Sequence, residues 1–124
     1  MTLTIAGVVG LVAAALVVIG TGVALTRSGW PFGTTLLNLH KLVALAAVVF
    51  TGVLAYRTNR AGAVTANQWI ALAAGALLCV AAFASGGVVS ALESAPTWVV
   101  WVHRVGSWLA VAATGIAVWL LSLS

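Results

Sequence analysis

Two histidines hold the most chemical promise in this chain of 124 residues. Each lies in a long apolar stretch and each is followed by a cation, as His40-Lys41 and His103-Arg104. An imidazole exchanges protons near neutral pH and is the commonest metal ligand among side chains. An ionisable group in a run this apolar is costly, and such groups tend to be kept for function. The two histidines also sit in matching sequence. Aligned on them, LHKLVALAAVVFTGVLAY stands over VHRVGSWLAVAATGIAVW at an offset of 63 residues. His40 then pairs with His103, Lys41 with Arg104, Thr51 with Thr114, Gly52 with Gly115 and Tyr56 with Trp119. The polar and glycine matches point to a duplicated helical hairpin. At about 100° per residue, steps of four, seven and eleven return to nearly the same helix face. Below His40 that face bears Ala44, Ala47 and Thr51, and below His103 it bears Ser107, Ala110 and Thr114. Both stripes are small, so each histidine stands above a surface that another body can approach closely. The threonines lie roughly 16 Å deeper and are expected to bond back to the carbonyls of Ala47 and Ala110.

The elements that must hold these residues are membrane spans. Hydrophobic residues make up 64% of the chain and charged residues 5%, with a mean hydropathy of +1.24. A soluble domain has about a quarter of its residues charged, so a water-facing surface and intrinsic disorder are both excluded. The pI of about 10.8 comes from five Lys/Arg set against Glu93, and scattered cations make no nucleic-acid patch. The lone Cys79 excludes a disulfide framework and a multi-cysteine zinc site, and reads as a small buried apolar residue. A helix needs about 20 apolar residues to cross the hydrocarbon core. Leu3–Leu25, Leu36–Tyr56, Trp69–Val89 and Thr97–Leu121 qualify. Their lack of period-2 alternation argues for helices, not barrel strands. The expected fold is all-α: an integral membrane four-helix up-and-down bundle, one domain over residues 1–124, with an internal two-helix repeat.

Between the spans lie TRSGWPFGTT, RTNRAGAVTANQ and SALESAPT. Ser94 or Thr97 is the expected cap of the last helix, with Pro96 in its first turn. Trp30, Trp69, Trp98, Trp101 and Trp119 fall near span ends, as an interfacial belt requires. The first span lacks the basic flank of a signal peptide and exceeds its apolar length. Arg57 and Arg60 share the second loop's side with both termini, against Arg27 and Glu93 on the other, so the termini are expected in the cytoplasm. Glu93 is a loop residue, either paired with Arg27 or Arg104 or solvated.

The even spans run parallel in such a bundle, which brings His40 and His103 to one depth near the outer face. The first and third spans end on that face, bringing Gly20, Gly22, Gly86 and Gly87 to about the same level. Glycine in a membrane helix marks close approach. Two imidazoles with glycines on the flanking helices describe a slot for a flat disc, and one haem b with two axial histidines fits it. In that reading His40 and His103 bind the iron, and Gly22 and Gly86 clear the ring. Ala44 and Ser107 line the slot, while Lys41 and Arg104 snorkel toward the propionates. The bland alternatives are histidines hydrogen-bonded at the interface, cations that anchor helices at headgroups, and small residues that serve helix packing. Zinc is disfavoured because it wants three or four protein ligands and no third lies at that depth.

A four-helix unit with histidines on its second and fourth spans, each in an HK or HR pair, resembles one half of haem A synthase. It is similar in the same way to other membrane-embedded b-type cytochromes. The resemblance covers the architecture of the whole chain but rests on His40-Lys41 and His103-Arg104 for its motif. It implies a haem held between the two histidines. The glutamate that haem A synthases carry three residues before a histidine is replaced by Leu37 and Val100, the first outer loop has no cysteine pair, and these residues contain one four-helix unit. A complete haem A synthase is therefore not expected. With both axial positions filled the iron offers no open site, which favours electron transfer over catalysis. The expected partners are the lipid bilayer and a quinone or a redox protein at the haem-side face, within a larger complex or homo-oligomer. Two rival readings are an accessory or haem-carrying subunit of a respiratory or photosynthetic complex, and a small non-haem transporter. The transporter lacks the intramembrane carboxylate such exporters use.

Overall fold

Every apolar stretch becomes a helix, and each helix outruns the stretch that predicted it. A computed structural model describes residues 5–62 and 64–123. Leu3 and Thr4, the start of the first expected span, lie outside the described residues. The helices are α1 (Ile5–Ser28), α2 (Thr34–Arg60), α3 (Ala66–Ala91) and α4 (Thr97–Ser122), with no strand among the described residues. At 24 to 27 residues they are about 36–40 Å long, more than the roughly 30 Å of a bilayer's hydrocarbon core. All four are apolar enough to cross a membrane.

The extra length has local causes. Arg27 lies in the last turn of α1, and Arg57 and Arg60 lie in the last turn of α2. There they complement the negative end of the helix dipole. Gly29 (φ +70°) and Gly62 (φ +71°) take the left-handed conformation that ends the two helices. The start of α3 is set by a capping box: Gln68 N–H donates to Thr65 Oγ1 at 3.4 Å, and Thr65 N–H donates to Gln68 Oε1 at 2.7 Å. That moves the start to Ala66, ahead of the expected Trp69. At α4 neither Ser94 nor Thr97 acts as the cap. Pro96 occupies the N-cap position outside the first turn, with no side-chain cap bond. Its carbonyl accepts the N–H groups of Val99 (2.9 Å) and Val100 (3.2 Å), and its missing N–H is one a helix start leaves unpaired anyway.

The chain divides into two compact units, Thr2–Val53 and Leu54–Ser124, with the boundary inside α2. In the second unit α3 and α4 pack together. Gly75 lies against the backbone of Ala113 and Thr114, and Gln68 Nε2 donates to Leu120 O at 2.7 Å. The buried residues of α4 are Val99, Ala110, Ala117 and Leu121, and their spacing of eleven, seven and four marks the same face as His103. In the first unit α1 buries Thr21 and Leu25. Toward the start of α1, α1 and α2 leave an open apolar groove of about 520 Å³, lined by Gly7, Gly10, Ala14, Ala46, Ala47 and Phe50. Outside these contacts the apolar side chains face outward, with Leu42 65% and Leu77 72% exposed. Lipid is the solvent that tolerates such a surface. Thr51 Oγ1 donates to Ala47 O at 2.9 Å as expected. Thr114 Oγ1 instead lies 3.9 Å from Cys79 Sγ on α3.

Candidate functional site

Each histidine sits six residues after the first residue of its helix, His40 after Thr34 and His103 after Thr97. That is a depth of about 9 Å along each axis. Both rings are half-buried, and both turn Nδ1 toward the helix that precedes their own.

His40 Nδ1 lies 2.9 Å from Thr21 Oγ1 on α1. Thr21 is buried, and its hydroxyl also lies 2.6 Å from Val17 O and 3.1 Å from Val18 O. A carbonyl can only accept, and a hydroxyl has a single proton. That proton points to the helix carbonyls, so the oxygen faces His40 as an acceptor. Nδ1 of His40 therefore carries hydrogen and donates it to Thr21. Next to the hydroxyl, Gly22 makes room for the ring: a Cβ there would stand 3.3 Å from His40 Cε1.

His103 repeats the arrangement with one change. Its Nδ1 lies 2.9 Å from the carbonyl of Ala82 and 3.4 Å from Ser85 Oγ, both on α3. The carbonyl alone requires Nδ1 to be the donor. Ser85 is buried, and its hydroxyl donates back to Ala81 O at 2.6 Å, with Ala82 O at 3.2 Å. Gly86 lies tighter than its counterpart, since a Cβ there would stand 2.7 Å from His103 Cε1 and 3.0 Å from Nδ1. An imidazole whose Nδ1 hydrogen is held this way binds a metal through Nε2.

The repeat seen around the histidines thus extends to α1 and α3. Thr21-Gly22 and Ser85-Gly86 are hydroxyl–glycine pairs 64 residues apart, one more than the histidines. The loops of both hairpins are five residues long, and the extra residue is a seventh position after Thr21 in α1, where α3 has six after Ser85. Thr21, Ser85 and the Ala82 carbonyl were not among the residues singled out from sequence. A signal was present: a hydroxyl–glycine dipeptide 18 or 19 residues before each histidine.

The remaining expected residues fall as follows. Lys41 and Arg104 are exposed, beside their histidines. Ala44 is half-buried on α2, and Ser107 turns its hydroxyl back to the carbonyl of His103. Gly20 and Gly87 face open space. The clearance at Gly22 and Gly86 is occupied by the edge of the imidazole in the same hairpin. Glu93 is exposed in the turn between α3 and α4.

Among the described residues no three His, Cys, Asp or Glu side chains cluster as a metal site would require. No protein-family model matches the chain, and the curated proteins and solved structures include no significant match to it.

Proposed function

We propose that this protein is a membrane b-type cytochrome that binds one haem b through His40 and His103 and passes electrons. The observation that carries the reading is the repeated Nδ1 arrangement, in which each hairpin commits its imidazole to the tautomer that ligates through Nε2. Structural histidines need no common tautomer, whereas two axial ligands do. When bound, the haem supplies a one-electron iron couple, and two axial imidazoles leave it no open position for substrate. The chain's own residues do the rest. Gly22 and Gly86 let the rings approach their helices, Ala44 and Ser107 keep the adjoining faces small, and Lys41 and Arg104 offset the propionate charge.

In this reading the four helices cross the cell membrane in alternation as an up-and-down bundle. Arg57 and Arg60 hold the second loop and both termini in the cytoplasm, and the histidines lie nearer the outer face. A quinol in the membrane and a redox protein at the histidine side are the partners this placement suits. A second reading, an accessory haem-carrying subunit of a larger respiratory or photosynthetic complex, suits the short loops and outward apolar faces of all four helices equally well.

The test is an absorption spectrum of the purified protein, oxidised and reduced, repeated on His40→Ala and His103→Ala. The expected result is a reducible b-type spectrum lost in both variants. A wild-type protein without haem, or a variant that keeps the same low-spin spectrum, overturns the proposal. Stoichiometric partners in a mild-detergent preparation would select the subunit reading.

A further inference from the structure

The two hairpins place the same dipeptide against their histidines yet do not hold them by the same atom. His40 has the Thr21 hydroxyl at 2.9 Å, whereas His103 has a backbone carbonyl at 2.9 Å and its hydroxyl only at 3.4 Å. A carbonyl survives any side-chain substitution and a hydroxyl does not.

We infer that Thr21 is a positioning residue that fixes the tautomer of His40 and strengthens its Nε2 as a ligand, and that Ser85, its counterpart, is dispensable for His103. The part concerning ligand strength rests on the haem reading; the tautomer part stands without it. The physics is the same for both. An acceptor on Nδ1–H draws the proton outward, shifts electron density to Nε2 and raises the basicity of the ring. It also suppresses the alternative tautomer, in which the proton occupies the ligating nitrogen. The Thr21 oxygen is a good acceptor because its own hydrogen is held by the Val17 carbonyl at 2.6 Å, so the α1 backbone polarises it. Valine at this position keeps the shape and removes the acceptor.

The experiment uses the full chain in detergent micelles with ¹⁵N-labelled histidine, as wild type, Thr21→Val, Thr21→Ser and Ser85→Ala. In the haem-free protein the ¹⁵N shifts of both rings are expected to report hydrogen on Nδ1. Thr21→Val should leave His103 unchanged and move His40 to a mixture of tautomers. Thr21→Ser should restore the wild-type pattern, which separates a lost acceptor from a general disturbance of folding. Ser85→Ala should leave both rings as they were. In the haem-loaded protein Thr21→Val should weaken haem binding by about tenfold. It should also favour the ferrous state, because a poorer donor stabilises ferric iron less. A tenfold change in that equilibrium is an upward shift of about 59 mV for one electron. A wild-type His40 without hydrogen on Nδ1, a Thr21→Val ring identical to wild type, or an equal response to Ser85→Ala overturns the inference. Absence of haem from the wild type would defeat the haem reading alone, since the ¹⁵N pattern would still decide the role of Thr21.

Discussion

Gly86→Ala and Gly22→Ala form a matched pair whose outcomes should differ, and the difference can be worked from distances. A Cβ at Gly86 would fall 2.7 Å from His103 Cε1, and one at Gly22 would fall 3.3 Å from His40 Cε1. Carbon atoms rest about 3.5–4.0 Å apart. The alanine at position 86 must therefore push its imidazole by about 0.8 Å, and the one at position 22 by about 0.2 Å. His103 Nδ1 begins 2.9 Å from the Ala82 carbonyl. A displacement of about 0.8 Å away from α3 takes that contact beyond hydrogen-bonding range. At His40 the same contact absorbs its few tenths of an ångström and persists. The fold itself should be little affected, because the strain falls on one movable side chain and alanine favours the helix by about 0.5–1 kcal/mol over glycine. The assay is haem content per protein and haem affinity by absorbance titration, beside thermal unfolding in the same detergent. Gly86→Ala should lose about 10–100-fold in affinity with an unchanged melting profile, and Gly22→Ala should stay near wild type. Equal losses in the two variants, or full affinity in Gly86→Ala, would refute the claim that these glycines seat the imidazoles.

Two further predictions concern the hairpin of α3 and α4. Gln68→Leu removes both the capping bond to Thr65 and the bond to the Leu120 carbonyl; it should lower stability by about 1–3 kcal/mol, read as a fall in the denaturation midpoint. Gly75→Ala should be neutral or stabilise by up to about 1 kcal/mol, because the new Cβ would meet Ala113 and Thr114 at 3.8–3.9 Å, an ordinary contact distance. A clear destabilisation would mean that α3 and α4 approach more closely than these distances state.

The four helices were legible in the sequence because uninterrupted apolar runs of about 20 residues are a strong signal for helices long enough to cross a membrane. Their ends were less so. The expected second span stops at Tyr56, yet α2 runs on to Arg60, because the limit was drawn where the apolar run ends, whereas Arg57 and Arg60 in the last turn complement the helix dipole. The cap at Thr65 was legible in principle as Thr-x-x-Gln and was obscured by the surrounding polar run. Pro96 was misplaced by one position because the choice between cap and first turn depends on backbone angles that composition does not record. The site divides in the same way. His40 and His103 stood out by charge type and repetition, and Gly22 and Gly86 by their level in the span. Their partners did not, because serine and threonine in a membrane helix usually bond to their own backbone. Thr21 and Ser85 do that as well, and only the rotation of α1 and α3 turns the other side of each oxygen toward a ring. The Ala82 carbonyl had no side-chain signature at all.

His40 is oriented by a residue 19 positions earlier and His103 by one 21 positions earlier. Each imidazole is thus oriented by the helix that immediately precedes its own in the chain. Either hairpin can fix the Nδ1 side of its ring with no contribution from the other. On the haem reading proposed above, neither ring would need to turn when the group arrives.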